Sequence, residues 1–457
     1  MSRPPQLTPW QGHLASRLPE LPTPVVAVLA LYSFGLILAK VSGLSSVALF
    51  LSEHLRRPYP ALRKRLAEFY KEAPAKSGAK QGIKRKDFDV TTCFPPLLRW
   101  VLSLWSGQHL ALAIDVTNLA DRFHVLCVSV VVRGVGIPVA WKVLPGGLPD
   151  PWNPHWQALL GRLQGAVPGG WTVLVLSDRG LESPDLFRFI AGLGWHPLMR
   201  AKKGGKFCPQ GWGRFYGLAE LVRRRGACFA ALGRAYVGAK LPCTLLARWE
   251  EGYAEPWLLL TTLPPEAASA VWYGLRAWVE QGFKVIKGGG WDWQKTRMED
   301  PGRVERLWLV LAAATVWVVA VGAEEEARDQ VREDLRRWEQ QMAQGQAQAQ
   351  ARRQAEALRR QRQREALQAR RERQQRQQAA RRQAPAQKPR ARRAAKTAAT
   401  AARPRTHRVS VRGLAALGAA WGEGQTRLPR HLFPEPWPEP DHAASTWTEQ
   451  EFLSQQK

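Results

Sequence analysis

Residues 110–143 read LALAIDVTNLADRFHVLCVSVVVRGVGIPVAWKV, and most of the fold follows from them. Three apolar, β-branched runs stand out: LALAIDV (110–116), HVLCVSVVV (124–132) and IPVAWKV (137–143). The gaps between them are too short for a crossover and suit hairpins, so the three strands should be antiparallel. Further on, PHWQALLGRLQGAV (154–167) has helical periodicity, and TVLVLSD (172–178) is a fourth buried strand. SPDLFRFIAGLG (183–194) is a helix with Ser183 at the cap and Pro184 at its first position, and HPLMRA (196–201) is a fifth strand. The order βββαβαβ describes an α/β mixed sheet, with three antiparallel strands and two parallel additions. It is the order of a ribonuclease H-like core.

Two acids sit at expected strand ends, Asp115 on the first strand and Asp178 on the fourth. Those strands should be neighbours, which brings the carboxylates together. Downstream, YGLRAWVEQGFKVIK (273–287) carries Tyr273, Arg276, Glu280 and Lys287. On a uniform α-helix they fall at about 0°, 300°, 340° and 320°, one narrow sector. A solvated face with an Arg276–Glu280 pair would also give this pattern. An acid beside two cations and a phenol also suits a metal-holding carboxylate among phosphate-holding groups. Gly288-Gly289-Gly290 should end the helix in a left-handed cap. Three carboxylates from separate elements supply hard oxygen ligands for two Mg²⁺ ions, an arrangement suited to in-line phosphodiester displacement.

Composition points the same way. The 457-residue chain has a net charge of +29 and a pI near 10.7, so a polyanionic partner is expected. Residues 352–412 hold 21 basic and 3 acidic residues, +18 of that charge. The five cysteines are scattered, with neither a zinc-type CxxC pair nor a disulfide framework. The start of the chain lacks the form of a signal peptide. Two apolar runs, 25–39 and 307–321, are short of the roughly 20 residues that span a bilayer and read as buried helices.

The chain divides on this reading into an irregular start (1–24) and a helical region with possible DNA contacts (25–90), in which Ser45 caps the second helix. The first part of the catalytic core (91–203) follows, then a small β-rich insertion (204–262). Core helices entered through Pro264-Pro265 (263–322) come next, then an Arg/Gln/Ala-rich tail (323–408) and a Pro-containing end (409–457). The tail has high helix propensity and no sustained apolar seam, so it reads as a solvated helix or disordered arm up to 382, and as disordered from 383 to 408.

The chain resembles the DDE transposases of bacterial insertion sequences, and more narrowly the family-four group with a Tyr-Arg-Glu-Lys signature. Tyr273, Arg276, Glu280 and Lys287 match its spacing, and IDVTN (114–118), LSDRG (176–180) and KTRMEDPGRVERLW (295–308) look like its flanking blocks. The resemblance covers about residues 25–322. It implies that Asp115, Asp178 and Glu280 bind two Mg²⁺ ions, with Mn²⁺ as a substitute. It also implies that Tyr273, Arg276 and Lys287 hold phosphates of the transposon end. Trp257, in EPWLLLTT, matches an insertion-domain Trp that stacks on a flipped base, although core packing would equally account for it. Arg200, Lys202, Lys203 and Lys206 follow the fifth strand and are candidates for DNA-backbone contacts. The expected partners are the inverted-repeat ends and target DNA, bound by a dimer or larger assembly in the bacterial cytoplasm, at the nucleoid, with no membrane. The other readings are a nuclease of the same fold without strand transfer, a catalytically inactive basic DNA-binding protein, and an RNA- or ribosome-associated protein. The last does not explain the acids.

Overall fold

The computed structural model describes residues 6–82, 86–147, 151–377, 409–434, 436–437 and 448–454. Two units are present: residues 1–325 with 407–457, and residues 326–406. The first unit opens with four helices, α1 (Leu7–Arg17), α2 (Thr23–Ala39), α3 (Leu44–Leu55) and α4 (Tyr59–Tyr70). The stretch 1–24, read as irregular from its prolines, therefore contains a helix. Its Leu7, Trp10 and Leu14 recur at helical spacing and are buried, and that burial outweighs the weak local signal. Ser45 is not the cap of α3. Gly43 takes that place, and the Ser45 hydroxyl accepts from Arg63 Nε at 3.3 Å.

After α5 (Phe94–Ser103) come β1 (His109–Leu119), β2 (Phe123–Val132), β3 (Val135–Pro145), α6 (Trp152–Leu163), β4 (Thr172–Ser177), α7 (Pro184–Gly192) and β5 (His196–Arg200). β1 to β3 pair antiparallel, and β4 lies parallel between β1 and β5. Ser183 caps α7 by accepting from the Leu186 N–H.

The residues read as a small β-rich insertion extend the same sheet. β6 (Lys206–Pro209), β7 (Tyr216–Gly217), β8 (Cys228–Ala235), β9 (Leu241–Arg248) and β10 (Trp257–Thr261) complete ten strands in the order β3-β2-β1-β4-β5-β10-β9-β8-β6-β7. β10 pairs antiparallel with β5, with Leu259 opposite Arg200, so the backbone groups along that side of β5 are satisfied.

α8 (Ala277–Lys284) lies against β3, and the first unit continues into α9 (Pro301–Gln377). Its apolar stretch is long and apolar enough to cross a membrane, yet that window is entirely buried in the fold, as a core helix would be. α10 (Val409–Gly422) crosses it at close range. A Cβ on Gly413 would lie 1.8 Å from the Val318 carbonyl oxygen, and one on Gly322 would lie 1.9 Å from that of Val409. Trp317 of α9 stacks on Trp10 of α1 at 3.9 Å and meets Trp421 of α10 edge-on at 5.6 Å. α11 (Glu449–Ser454) places Phe452 against Trp212 and Tyr216.

In the second unit, α9 from Glu326 is solvated through Arg370, with i,i+4 pairs such as Glu333–Arg337 at 2.7 Å. Residues 383–408, read as disordered, lie outside the described residues, as do residues 438–447.

One pH response follows from the packing of α1. His13 stacks on Trp10 at 5.7 Å and meets the edge of Trp100 at 5.4 Å. Burial, then the charge of Arg17, lowers its pKa from 6.5 to about 4. The fold therefore selects the neutral ring. Its stabilisation is complete above pH 6.5 and is lost as pH falls toward 4. Since the ring is partly exposed, the loss should be about 1–2 kcal/mol after screening. As pH falls through that window, wild type should lose more melting temperature than His13→Phe. Parallel curves would refute the assignment.

Candidate active site

β1 pairs with β4 as far as Ile114 opposite Ser177. The next residue on each is an acid, so Asp115 and Asp178 come side by side. The sequence places Asp115 at the end of its strand. In fact β1 runs on to Leu119, because Val116–Leu119 still pair with β2. Asp115 marks the point where pairing with β4 stops. Its carboxylate accepts from the Val116 N–H at 2.9 Å, and that of Asp178 from the Arg179 N–H at 2.7 Å.

The third acid arrives on a composite helix. The region read as one uniform α-helix is a 3₁₀ turn (Ala270–Arg276) capped by Ser269, then α8, then a π turn (Val285–Gly289). Pro264-Pro265 opens only a short separate turn, Pro265–Ala267. Tyr273 and Arg276 still share a face, because residues three apart eclipse in a 3₁₀ turn. Gly288 to Gly290 do not cap the helix in the left-handed region, and Gly290 has φ −154°. Their use is space, since a Cβ on Gly289 would lie 3.0 Å from the Lys284 carbonyl oxygen.

α8 reaches its place through a backbone contact. A Cβ on Gly282 would lie 2.4 Å from the Gly136 carbonyl oxygen of β3. Any side chain there would hold α8, and Glu280 with it, away from the sheet.

The three acids meet at one guanidinium. Arg276 Nη2 lies 3.0 Å from Asp115 Oδ2 and 3.7 Å from Asp178 Oδ2, and Nη1 lies 3.3 Å from Glu280 Oε1. Burial pushes the Asp115 carboxyl above the ordinary range, against the opposing pull of Arg276. Burial alone would depress Arg276, but Asp115 and the other acids outweigh it and raise its pKa.

The remaining sequence candidates divide into two groups. Tyr273 is buried, Trp257 meets it edge-on at 5.6 Å, and Arg200 lies over its ring at 5.9 Å. Burial raises the Tyr273 phenol to about 12, so it is a hydrogen-bond donor at neutral pH. Trp257 is half-buried and also meets Tyr253, which is exposed. Arg200 and Lys203 converge on Glu255, at 3.9 and 2.9 Å. Lys202 and Lys206 have exposed side chains, and the Lys202 amide donates to Glu182. Lys287 is half-buried with its pKa lowered by burial, and takes no part in the Arg276 cluster.

Sequence reasoning missed Glu255, Arg179 and Tyr253. Glu255 also takes Arg179, at 2.8 Å, so a single acid organises three cations beside the carboxylates. Glu255 lies 76 residues from Arg179, and no local pattern links them.

Among the described residues, no group of three or more His, Cys, Asp or Glu side chains is placed so as to hold a metal ion. The donor chemistry nevertheless fits a hard divalent cation: three carboxylates from three elements face one centre, where Arg276 supplies the positive charge. Removing that charge should leave three acids in mutual repulsion. Arg276→Gln is expected to lose about 3 kcal/mol of stability in chelator. Divalent cations should restore more melting temperature to it than they add to wild type. Equal melting curves in chelator would show that the cluster carries no such strain.

Residues 153–317 match the family model described as transposase DDE domain. That stretch holds Asp178 and Glu280, while Asp115 lies before it, and it supports DNA transposase function. Among solved structures, the chain is similar to a cryo-electron-microscopy structure of the piggyBac transposase synaptic complex with hairpin DNA. Identity is 11%, coverage is 68% of this chain and 72% of that chain, and the TM-score is 0.36. No curated protein matches the chain.

Proposed function

We propose that this protein is a DDE-type DNA transposase of the insertion-sequence family-four group, with a ribonuclease H-like core extended by β6–β10. The observation that carries the reading is the meeting of Asp115 on β1, Asp178 just after β4 and Glu280 on α8 around one guanidinium. Asp115, Asp178 and Glu280 would hold divalent cations, Mg²⁺ by our reading, which when bound activate an attacking oxygen and stabilise the leaving one.

The chain's own residues then account for binding and orientation. Tyr273, protonated at neutral pH, donates toward a phosphate oxygen. Arg276 balances the carboxylates and offers a planar fork suited to phosphate. Arg200, Lys203 and Arg179 stand beside them and share the single carboxylate of Glu255 among the described residues, so a DNA backbone would gain net attraction there. Tyr253 and Trp257 present the aromatic faces on which an unpaired base would stack. Two element ends have to be handled together, so at least two copies act on DNA, in the bacterial cytoplasm.

A labelled duplex from the DNA flanking this gene tests the reading. Site-specific nicking with Mg²⁺ that leaves a 3′-hydroxyl, followed by joining of that end to a second duplex, is the expected result. Nicking without joining would favour a nuclease. Retarded mobility without cleavage in Mg²⁺ or Mn²⁺ would favour an inactive DNA-binding protein.

A further inference from the structure

The solvated part of α9 in the second unit carries six large exposed apolar residues, and four of them lie close together with no cover among the described residues. Val331, Leu335, Trp338 and Met342 are each between 49% and 59% exposed. Their spacing is 4, 3 and 4, so they form one stripe in a stretch, residues 326–344, otherwise made of charged, Gln and Ala residues. The sequence reading finds no sustained seam in this tract, and the stripe is indeed short. The 4-3 series meets Arg328 before it and Gly345, Ala349 and Arg352 after it. What makes it informative is the charge on its two flanks.

We infer that this stripe is a self-association surface, which pairs antiparallel with the same stripe of a second copy of this chain. In an antiparallel two-fold pair, Val331 meets Met342 of the other copy and Leu335 meets Trp338. Each contact then occurs twice, as a closed symmetric interface requires. Arg332 and Glu339 lie on one flank, each following an inner-position residue, and antiparallel pairing sets each opposite the other in the second copy. Parallel pairing would instead set Asp334 of one copy against Glu339 of the other, two acids on each side. The flanks therefore attract in one orientation and repel in the other.

Arg332 also has Asp329 of its own helix at 3.7 Å, an exposed pair that is easily exchanged. Glu333 and Arg337 lie away from the stripe and pair with each other within the helix. The surface gives a physical basis to the two-copy assembly proposed above, and it deepens that part of the reading. Its test uses no DNA, so its failure leaves the catalytic assignment untouched.

Sedimentation equilibrium of the full chain, free of nucleic acid and at physiological ionic strength so that the flank charges are not screened out, should show a reversible monomer–dimer equilibrium. Trp338→Glu should weaken the dimer at least tenfold, with helix content unchanged because the residue is solvated in the single chain. Arg332→Glu and Glu339→Arg should each weaken it and the double variant should restore it, whereas a parallel pair would be strengthened by Glu339→Arg alone, which turns the repulsion from Asp334 into attraction. A wild type that stays monomeric, a dimer indifferent to Trp338→Glu, or a double variant no better than the singles would overturn the proposal.

Discussion

Asp115→Asn should lower the rate of DNA strand cleavage by ~10³-fold or more, about 4 kcal/mol of transition-state stabilisation. Asparagine has the shape of aspartate, so β1 keeps its ladder with β2, and the amide oxygen can still accept from the Val116 N–H. Only the charge is lost. A hard divalent cation relies on that charge, and a neutral amide cannot replace it. Arg276 retains Asp178 and Glu280 as partners, so the fold should survive with a modest loss. The informative comparison sets cleavage against melting temperature and DNA affinity in one preparation. Near-normal cleavage by a folded Asp115→Asn protein would remove the acid from the chemistry. Parallel loss of cleavage and of folding would make its role structural.

The second large effect should come from a residue with no chemistry of its own. Gly282→Ala adds one methyl group where the Gly136 carbonyl oxygen would be 2.4 Å away. The obstacle is backbone, so no rotamer relieves it, and α8 has to lift from β3. Glu280 is two residues away and moves with it. A displacement near 1 Å at a reacting centre can cost about 10² in rate, and that is the expected loss, with all three carboxylates still present. Gly180→Ala is the matched control. It lies two residues from Asp178, but a methyl group there meets nothing within 4 Å, and its rate should stay near wild type. Equal behaviour of the two variants would show that the close approach does not set the position of Glu280.

The sequence made the first five strands legible because each is a short, largely apolar run set off by polar or turn residues. It also made the acids legible, since each falls where an apolar run meets a polar one. The stripe from Tyr273 to Lys287 was visible, but its helix was not uniform. The 3₁₀ and π turns at its ends depend on what Tyr273 packs against and on the crowding of Gly289 and Gly290 against Lys284 and Val285. The joining of β10 to β5 brings Leu259 beside Arg200, and no local periodicity encodes a partner that far along the chain. Glu255 escaped for the same reason. α1 escaped because its helix is short and is stabilised by Trp10 against Trp317, three hundred residues away.

The close crossing of α9 and α10 changes how the chain can be divided. Gly322 and Gly413 let the two helices meet backbone to backbone, and the Trp317 indole N–H donates to the Arg427 carbonyl oxygen. Leu432 bridges to Trp105, and Glu449 takes hydrogen bonds from the Gly213 amide and the Tyr216 hydroxyl. The final residues are thus built into the first unit, and residues 326–406 are an excursion between two of its parts. A stop codon in that excursion would remove a piece of the core. A break in the peptide bond at the same place would leave both pieces able to find each other, so the gene could be divided there and the enzyme assembled from two separately made polypeptides.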